Sequence, residues 1–308
     1  MTNIWEVLLS VGLFTATIRM ATPLVLAGIG GVFSERSGVI NIGMEGMMLL
    51  GAFFGVLASY LTGNPWLGLL AGMVAGGLSG WLHAFLSIRF GANQIVSALG
   101  INILALGLTP YLAESIWGSR GSSPSVTGLP RWELPLIREI PILGEIMGPH
   151  APTVFLMLAI VIVAHIVLFR AKWGLRLRAV GESAKAAATA GIPVQQMRYL
   201  GVIISGVLAG LAGVHLSLGH LSMWTIGITG GRGFIALAVM IFGNWRPFGA
   251  LTAGLVFGFA DALQIRLQGL GVPVQFMQMV PYIVTIIVLA GVMGRARPPA
   301  DIGKPYQP

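Results

Sequence analysis

The chain has 308 residues, of which 56% are hydrophobic and only 9% are charged, and it contains no cysteine. Soluble domains carry about 25% charged residues, so this composition excludes a soluble globular protein, and the missing cysteine excludes disulfides and thiolate metal sites. The net charge of +8 resides in short connections between apolar runs, which indicates a membrane protein rather than a nucleic-acid-binding surface.

Apolar runs follow one another along the whole chain. Those long enough to cross a bilayer lie at about 5–33, 45–61, 66–88, 94–113, 152–170, 199–218, 248–266 and 276–294. The first contains Arg19 and fits one tilted helix or an interfacial helix followed by a span. A further run, Phe234 to Phe242, is shorter than the ~20 residues that a spanning helix needs, unless the glycine-rich residues before it extend it. We therefore predict an all-α polytopic membrane protein with about 8–10 transmembrane helices.

The ends of the chain add two expectations. The N-terminus lacks a basic leader with a small-residue cleavage site, so we expect it to be retained. We treat residues 1–294 as a single transmembrane domain. The proline-rich tail at 295–308 is expected to be a mobile end.

Charge in the longer connections predicts the orientation. The 170–198 connection holds six basic residues and one acid, whereas the 114–151 connection holds three basic residues and four acids. The positive-inside rule places the first in the cytoplasm and the second outside. The tail then also lies in the cytoplasm.

A shift of 182 residues brings small residues and prolines of the two halves into register. The matched pairs include Gly28 with Gly210, Gly51 with Gly233, Pro65 with Pro247, Gly72 with Gly254 and Gly76 with Gly258. With the predicted orientation, repeats at about 18–113 and 199–294 are inverted around the 171–198 connection, an arrangement that places transporter sites near the midplane. The alternative is that unrelated membrane helices share small-residue packing preferences.

A polar, glycine-containing segment within Ser34 to Gly51 separates the first two apolar runs. Irregular backbone at membrane depth is tolerated only where it is buried in protein or lines a water-filled path. Asn41 and Glu45 are therefore candidates for a polar solute's route. Alternatively, Glu45 is a first-turn acid that complements a helix dipole near the membrane surface.

Two further polar residues extend this candidate pathway. Asn102 lies two turns into the fourth run, and Arg232 lies beside three glycines. Arg232 either pairs with Glu45 across the two repeats or marks the outer surface.

Motifs for chemistry are missing from the sequence. It contains no G-x-x-x-x-G-K-[S/T] loop, no H-E-x-x-H spacing and no nucleophile-elbow motif. We therefore expect no enzyme activity, no metal site and no cofactor in this chain.

The basic connection contains a strong short helix former, Ser183 to Ala190, which Gly191 and Pro193 terminate. A small, rigid helix between two spans is suited to act as a lever that a partner subunit grips. The alternative is an ordinary loop helix.

At these two places, the blocks ERSGVINIGMEGMMLLGA and RAVGESAKAAATAGI, the sequence resembles permease subunits of bacterial ATP-binding-cassette (ABC) importers of the branched-chain amino acid, ribose and nucleoside group. The first block is most similar to the nucleoside (purine and simple-sugar) branch, and the likeness covers nearly the whole chain, including GFIALAVMIFGNWRPFGALTAG at 233–254. The resemblance implies a multi-pass subunit of the inner membrane that forms half of a nucleoside pathway.

The resemblance also implies partners. These are a second, non-identical permease chain, two cytoplasmic ATPase subunits that hold ATP–Mg, and an extracytoplasmic solute-binding lipoprotein. In such permeases the coupling helix docks into the ATPase. That role falls here on Gly181, Glu182, Ala187, Ala188, Gly191 and Ile192.

Other solutes and classes stay open. An apolar path with few polar groups suits an uncharged, ring-bearing solute such as a nucleoside; a ribose-type sugar is the second candidate and a branched-chain amino acid the third. An ion-coupled secondary transporter would need an intramembrane carboxylate cluster, which the sequence lacks. A membrane scaffold or receptor would transport nothing.

Overall fold

The computed structural model describes residues 10–133, 143–267 and 296–306, with the isolated residues 279, 283 and 286. The predicted span at 276–294 and part of the 114–151 connection therefore lie outside the described residues. In the described part the chain is helical, with two isolated β-bridges, Ser122 with Thr225 and Trp132 with His150.

The helices are numbered in chain order. They are α1 Val11–Arg36, α2 Met44–Thr62, α3 Pro65–Ala84, α4 Gln94–Trp117, α5 Leu143–Ile146, α6 Pro152–Phe169, α7 Lys172–Glu182, α8 Ala184–Thr189, α9 Val194–Leu216, α10 Arg232–Phe242 and α11 Pro247–Leu267. A π-helical turn extends α3 to Arg89, and another extends α9 to Leu221. Seven helices of the described residues are long and apolar enough to span a membrane: α1, α2, α3, α4, α6, α9 and α11. The predicted all-α polytopic class is confirmed.

Helix ends follow from local chemistry. The side chains of Asn64 and Asn93 accept backbone N–H groups at the starts of α3 and α4, and Pro65 occupies the first turn of α3. Gly63 and Gly118 end α2 and α4 in the left-handed conformation that glycine adopts without strain. These caps fix the turns between neighbouring spans.

The short run near residue 234 does not become a span. Helix α10 begins at Arg232 and has 11 residues. Gly230 and Gly231 have φ values of +54° and +80°, so the glycine-rich residues form a turn instead of extending the helix. The sequence-based alternative of an extended spanning helix is therefore wrong.

Helices α1 and α9 form the centre of the molecule. In α1 89% of the apolar window is buried, whereas in α4 only 33% is buried. Central α9 packs closely against α3 because glycines face each other: a methyl group added at Gly76 would lie 2.7 Å from the Cα of Gly210. Small residues permit such close approach between membrane helices.

One helix of each half packs on a helix of the other half. Helix α3 begins at Pro65 and packs on α9, whereas α11 begins at Pro247 and packs on α1. The starts of α3 and α11 are thus 182 residues apart, and each of these helices packs against the central helix of the other half. The inverted orientation of the repeats and their boundaries stay predictions.

Candidate functional site

The polar segment, residues 37–46, begins as an irregular connection between α1 and α2. Ser34 Oγ donates to the carbonyl of Val39 at 2.7 Å, and Ser37 Oγ donates to the carbonyl of Ser34 at 2.6 Å. Gly38 has a φ of +90°, which glycine tolerates. Most of the segment is buried, so the structure fulfils the requirement that irregular backbone among membrane helices be enclosed by protein.

Two amides hold this segment in place. Asn41 is fully buried; its Nδ2 donates to Ser205 Oγ at 2.9 Å, and its Oδ1 accepts the N–H of Gly43 at 3.1 Å. Asn102 accepts the N–H of Gly46 at 2.8 Å and donates to the carbonyl of Ile42 at 3.1 Å. Both predicted residues thus lie at the segment, where their amide groups bond to other groups of the chain.

Sequence analysis missed two further residues that bind the same segment. Both ring nitrogens of His83 are used, with Ser97 Oγ at 3.0 Å and the carbonyl of Ile40 at 2.9 Å. Gln94 Oε1 accepts the N–H of Ile40 at 2.8 Å. In the sequence, His83 is recognisable only as a histidine within an apolar run. Its contact with Ile40 follows from the fold.

Glu45 joins the starts of two helices. It lies in the first turn of α2 and is 8% exposed. Its carboxylate accepts the Thr229 hydroxyl at 2.6 Å, the N–H of Gly231 at 2.8 Å and the N–H of Gly233 at 2.6 Å, all at the start of α10. The negative charge therefore complements the positive ends of both helices.

Arg232 does not pair with Glu45, so that alternative is wrong. Its guanidinium lies 3.9 Å from Asp261 Oδ2 and donates to the carbonyl of Thr229 at 3.3 Å. Its Nε is buried and has no hydrogen-bond partner. Of the four predicted pathway residues, three bond within the chain around the polar segment, whereas Arg232 faces elsewhere.

The lever segment, residues 172–192, consists of α7, α8 and the turn after them. Ser183 caps α8 by accepting the N–H of Ala186 at 3.3 Å, and Gly191 has a φ of +76°. The predicted short helix is therefore present. Its coupling role is a proposal.

The six predicted coupling residues differ in exposure. Glu182 and Gly191 are exposed, and Ala188 and Ile192 are half-buried. Gly181 and Ala187 are buried, so they position the lever rather than present a surface to a partner. These four exposed or half-buried residues are available for contact.

The base of the lever touches the end of α1. A methyl group at Gly181 would lie 2.9 Å from the carbonyl carbon of Arg36. The Arg36 guanidinium lies 3.9 Å from Glu182 Oε1 and donates from Nε to the carbonyl of Trp245 at 3.1 Å. Glu35 accepts the Trp245 indole N–H at 2.6 Å. One cluster thus joins the lever, α1 and the turn before α11.

The C-terminal tail is anchored, which contradicts the expectation of a mobile end for residues 296–306. The Asp301 N–H donates to the carbonyl of Gly181 at 2.9 Å, and its carboxylate accepts the N–H of Ala184 at 2.9 Å. That hydrogen bond, and then the one from Lys304, lowers the pKa of Asp301. The carboxylate therefore caps α8 in its charged form.

The tail also reaches the polar segment. The N–H of Gly303 donates to the carbonyl of Gly38 at 3.0 Å, and Arg198 donates to the carbonyl of Lys304 at 2.9 Å. A proline-rich, non-helical chain can be held by such backbone bonds, which composition does not reveal. The tail therefore connects the lever segment to the polar segment.

Comparisons with known proteins were made for the whole chain. The family model described as "Branched-chain amino acid transport system / permease component" matches residues 13–289. The chain is 44% identical to the guanosine ABC transporter permease protein NupQ of Bacillus subtilis, over 94% of this chain and 95% of that protein. It is 40% identical to the putative glucose ABC transporter permease protein TsgC13 of Haloferax volcanii, over 91% of each.

A further relative is the nucleoside ABC transporter permease protein NupC of Lactococcus lactis, which is 38% identical over 93% of each chain. No solved structure matches the chain. The expected resemblance is thus confirmed by proteins that the chain covers almost from end to end.

Proposed function

Because the chain belongs to the branched-chain amino acid transport system permease family, we propose that it is a permease subunit of an ABC importer that carries nucleosides. The substrate is taken from two relatives, whose names give guanosine and nucleosides. Seven helices of the described residues that are suited to spanning a membrane support the transport role. The glucose permease relative makes a simple sugar the second candidate.

The observation that carries the proposed mechanism is the continuous contact from the lever segment to the polar segment. Gly181 lies against the end of α1, and the tail bonds to Gly181 at one point and to Gly38 at another. A displacement of α8 by an ATPase subunit therefore reaches the polar segment by two routes. A lever with two rigid attachments transmits movement better than a loose loop does.

The pathway residues support this mechanism in a specific way. Helix starts inside the bilayer are typical of transporter sites near the midplane. Glu45 joins the starts of α2 and α10, and we propose that both lie at that depth. We assign Asn41, Glu45 and Asn102 the role of holding the wall of the pathway in shape. We assign the contact with the solute to Arg232, because it does not bond around the polar segment.

Partners and location complete the proposal. A second, non-identical permease supplies the other half of the pathway, two ATPase subunits bind ATP–Mg, and a lipoprotein delivers the solute on the outer side of the inner membrane. The tail bonds to the lever segment, so both lie on one side. The positive charge of the 170–198 connection assigns that side to the cytoplasm.

Reconstitution tests the proposal directly. The chain would be co-expressed with the second permease, ATPase and lipoprotein encoded beside it, purified as a complex and placed in vesicles. We expect uptake of labelled guanosine or uridine only with ATP and the lipoprotein. Uptake by the chain alone, driven by a proton or sodium gradient, would contradict it. Uptake of glucose or ribose without any nucleoside would select the sugar alternative.

A further inference from the structure

A cavity of about 140 Å³ lies at the opposite end of α1 from the lever. Arg19 and Arg36 are 17 residues apart on this helix, which corresponds to about 25 Å. The cavity is bordered by α1, the end of α9, the start of α10 and the end of α11. Its lining comprises Arg19, Met20, His215, Leu216, His220, Leu221, Ile228, Arg232 and Ile265.

Two arginine side chains, those of Arg19 and Arg232, line the cavity. Their Nε atoms are buried and have no hydrogen-bond partner among the described residues, so a ligand in the cavity would meet the terminal NH2 groups of the guanidinium. No carboxylate of the described residues lines the cavity, and Asp261 lies 3.9 Å from the guanidinium of Arg232. The charges of Arg131 and Arg266 add to the positive potential at Arg19.

Of the two imidazoles in the lining, those of His215 and His220, the first has a structural role, and Arg232 is partly engaged by Asp261 and the carbonyl of Thr229. His215 is fully occupied, with Thr153 Oγ1 at 2.6 Å and the carbonyl of Arg19 at 3.1 Å. It thereby fixes the backbone from which the Arg19 side chain extends. Ionisable groups within membrane segments are costly and are retained where they pair or serve a solute, and Arg19 has no ion-pair partner among the described residues.

We propose that this cavity receives the base of a nucleoside and recognises two adjacent acceptors, such as O6 and N7 of a 6-oxopurine. The inference rests on the proposed function. Arginine presents a planar fork of donors to this edge, whereas adenine places an amino donor beside N7. The volume is below the roughly 300–1,000 Å³ of a complete ligand pocket, so the cavity takes one end of the nucleoside.

The apolar lining suits the same ligand. Met20, Leu216, Leu221, Ile228 and Ile265 offer surfaces against which the faces of a flat ring can pack. A small inorganic anion would use the guanidinium groups but would leave this apolar surface in contact with water. The combination of donors and apolar walls therefore favours a heterocycle with acceptors on its edge.

Thiol labelling gives a test that does not depend on transport. The chain has no cysteine, so Leu221→Cys in the assembled complex places one reporter in this chain at the cavity. The change in labelling that each nucleoside causes on Leu221→Cys is compared with its effect on Tyr111→Cys, an exposed site on α4. We expect guanosine and inosine to slow labelling of the cavity site, and adenosine and 7-deazaguanosine to do so at about 10- to 100-fold higher concentration.

Uptake by variants tests the role of the arginines. Arg19→Gln and Arg232→Gln are expected to lower guanosine uptake by about tenfold or more and to abolish the preference for guanosine over adenosine. Arg19→Lys keeps the charge without the fork and is expected to lose the preference while it assembles normally. Arg120→Gln, an exposed arginine paired with Glu114, is the matched control and should change neither quantity.

The outcomes separate the two proposals. If the wild-type complex carries no nucleoside, the proposed function fails and this inference falls with it. If the wild-type complex carries nucleosides but labelling is not slowed by guanosine, the cavity is not a base site. If Arg19→Lys assembles and its selectivity equals that of the wild type, the guanidinium groups do not recognise the solute.

Discussion

The polar segment and the arginine cavity differ in how their polar groups are satisfied. Around the polar segment, Asn41, Glu45, His83 and Asn102 all bond to groups of the same chain. In the cavity two guanidinium Nε atoms have no partner. Buried polar groups that are fully satisfied make a rigid frame, whereas we propose that the arginines of the cavity serve a ligand.

This difference revises the role of intramembrane polar residues in the chain. Their positions in the polar segment and in an apolar run identified Asn41, Glu45 and Asn102 as candidates for the solute's route, but all three already bond to backbone or side-chain groups of the chain. A residue that supports the wall and a residue that contacts the solute look alike in sequence. They are distinguished by whether removal of the side chain costs stability or transport.

The largest loss of stability is expected for Glu45→Ala. The substitution leaves the Thr229 hydroxyl and the N–H groups of Gly231 and Gly233 without an acceptor, which should lower the free energy of unfolding by at least about 3 kcal/mol. Glu45→Gln keeps one acceptor oxygen and should lose about 1–2 kcal/mol. The thermal midpoint of the purified complex measures both.

Glu114→Ala is the control for this comparison, because Glu114 forms an exposed ion pair with Arg120 and such pairs contribute little. If Glu45→Ala were as stable as this control, Glu45 would not belong to the frame. Its carboxylate would then be available for a direct role in the pathway.

Gly181→Ala is expected to have the next largest effect. The added methyl group would lie 2.9 Å from the carbonyl carbon of Arg36, and overpacking of this kind costs about 1–3 kcal/mol. We expect the lever to shift, so that ATP hydrolysis continues while uptake falls about tenfold. The ratio of solute transported to ATP hydrolysed measures this uncoupling.

A change at Ala186, an exposed residue of α8, provides the comparison. Ala186→Ser should leave the ratio unchanged because the side chain of Ala186 is exposed in the described part of the chain. An unchanged ratio in Gly181→Ala would show that contact with α1 does not transmit movement.

The sequence allowed the seven described spans and the short helix of the lever segment to be predicted, since capping residues and hydropathy are local signals. It left open whether Glu45 is buried or lies near the membrane surface. It did not allow the partners of these residues to be predicted. Glu45 bonds to backbone groups more than 180 residues away, and Asp301 bonds to the backbone of Ala184, 117 residues away. Backbone N–H groups are present everywhere in a sequence, so such partners carry no residue-type signal.

A smaller effect is expected for Asp301→Asn. The bond from the Ala184 N–H, and next that from Lys304, holds the pKa of Asp301 below its ordinary value. Its contribution is thus present above the ordinary pKa of about 4 and is lost as the pH falls through the lower pKa of the folded state. The asparagine variant should lack this part of the pH dependence.

The labelling rate of a cysteine in the tail measures how firmly Asp301 attaches the tail. With Tyr306→Cys as the single thiol of this chain, the labelling rate at neutral pH should be higher in Asp301→Asn than in the parent. The ratio of the variant's rate to the parent's rate cancels the loss of thiolate as the pH falls, and it should approach one on acidification through the pKa of Asp301. Equal rates at every pH would show that this carboxylate does not hold the tail.

The smallest change in stability is expected for Arg19→Met, and this variant tests the comparison most sharply. Methionine preserves the apolar stem and removes a charge that no group of the described chain neutralises, so the thermal midpoint should stay the same or rise slightly. Guanosine uptake should nevertheless fall. If Arg19→Met instead destabilised the complex as Glu45→Ala does, Arg19 would be part of the frame. The complex would then lose stability because the guanidinium had partners inside the protein.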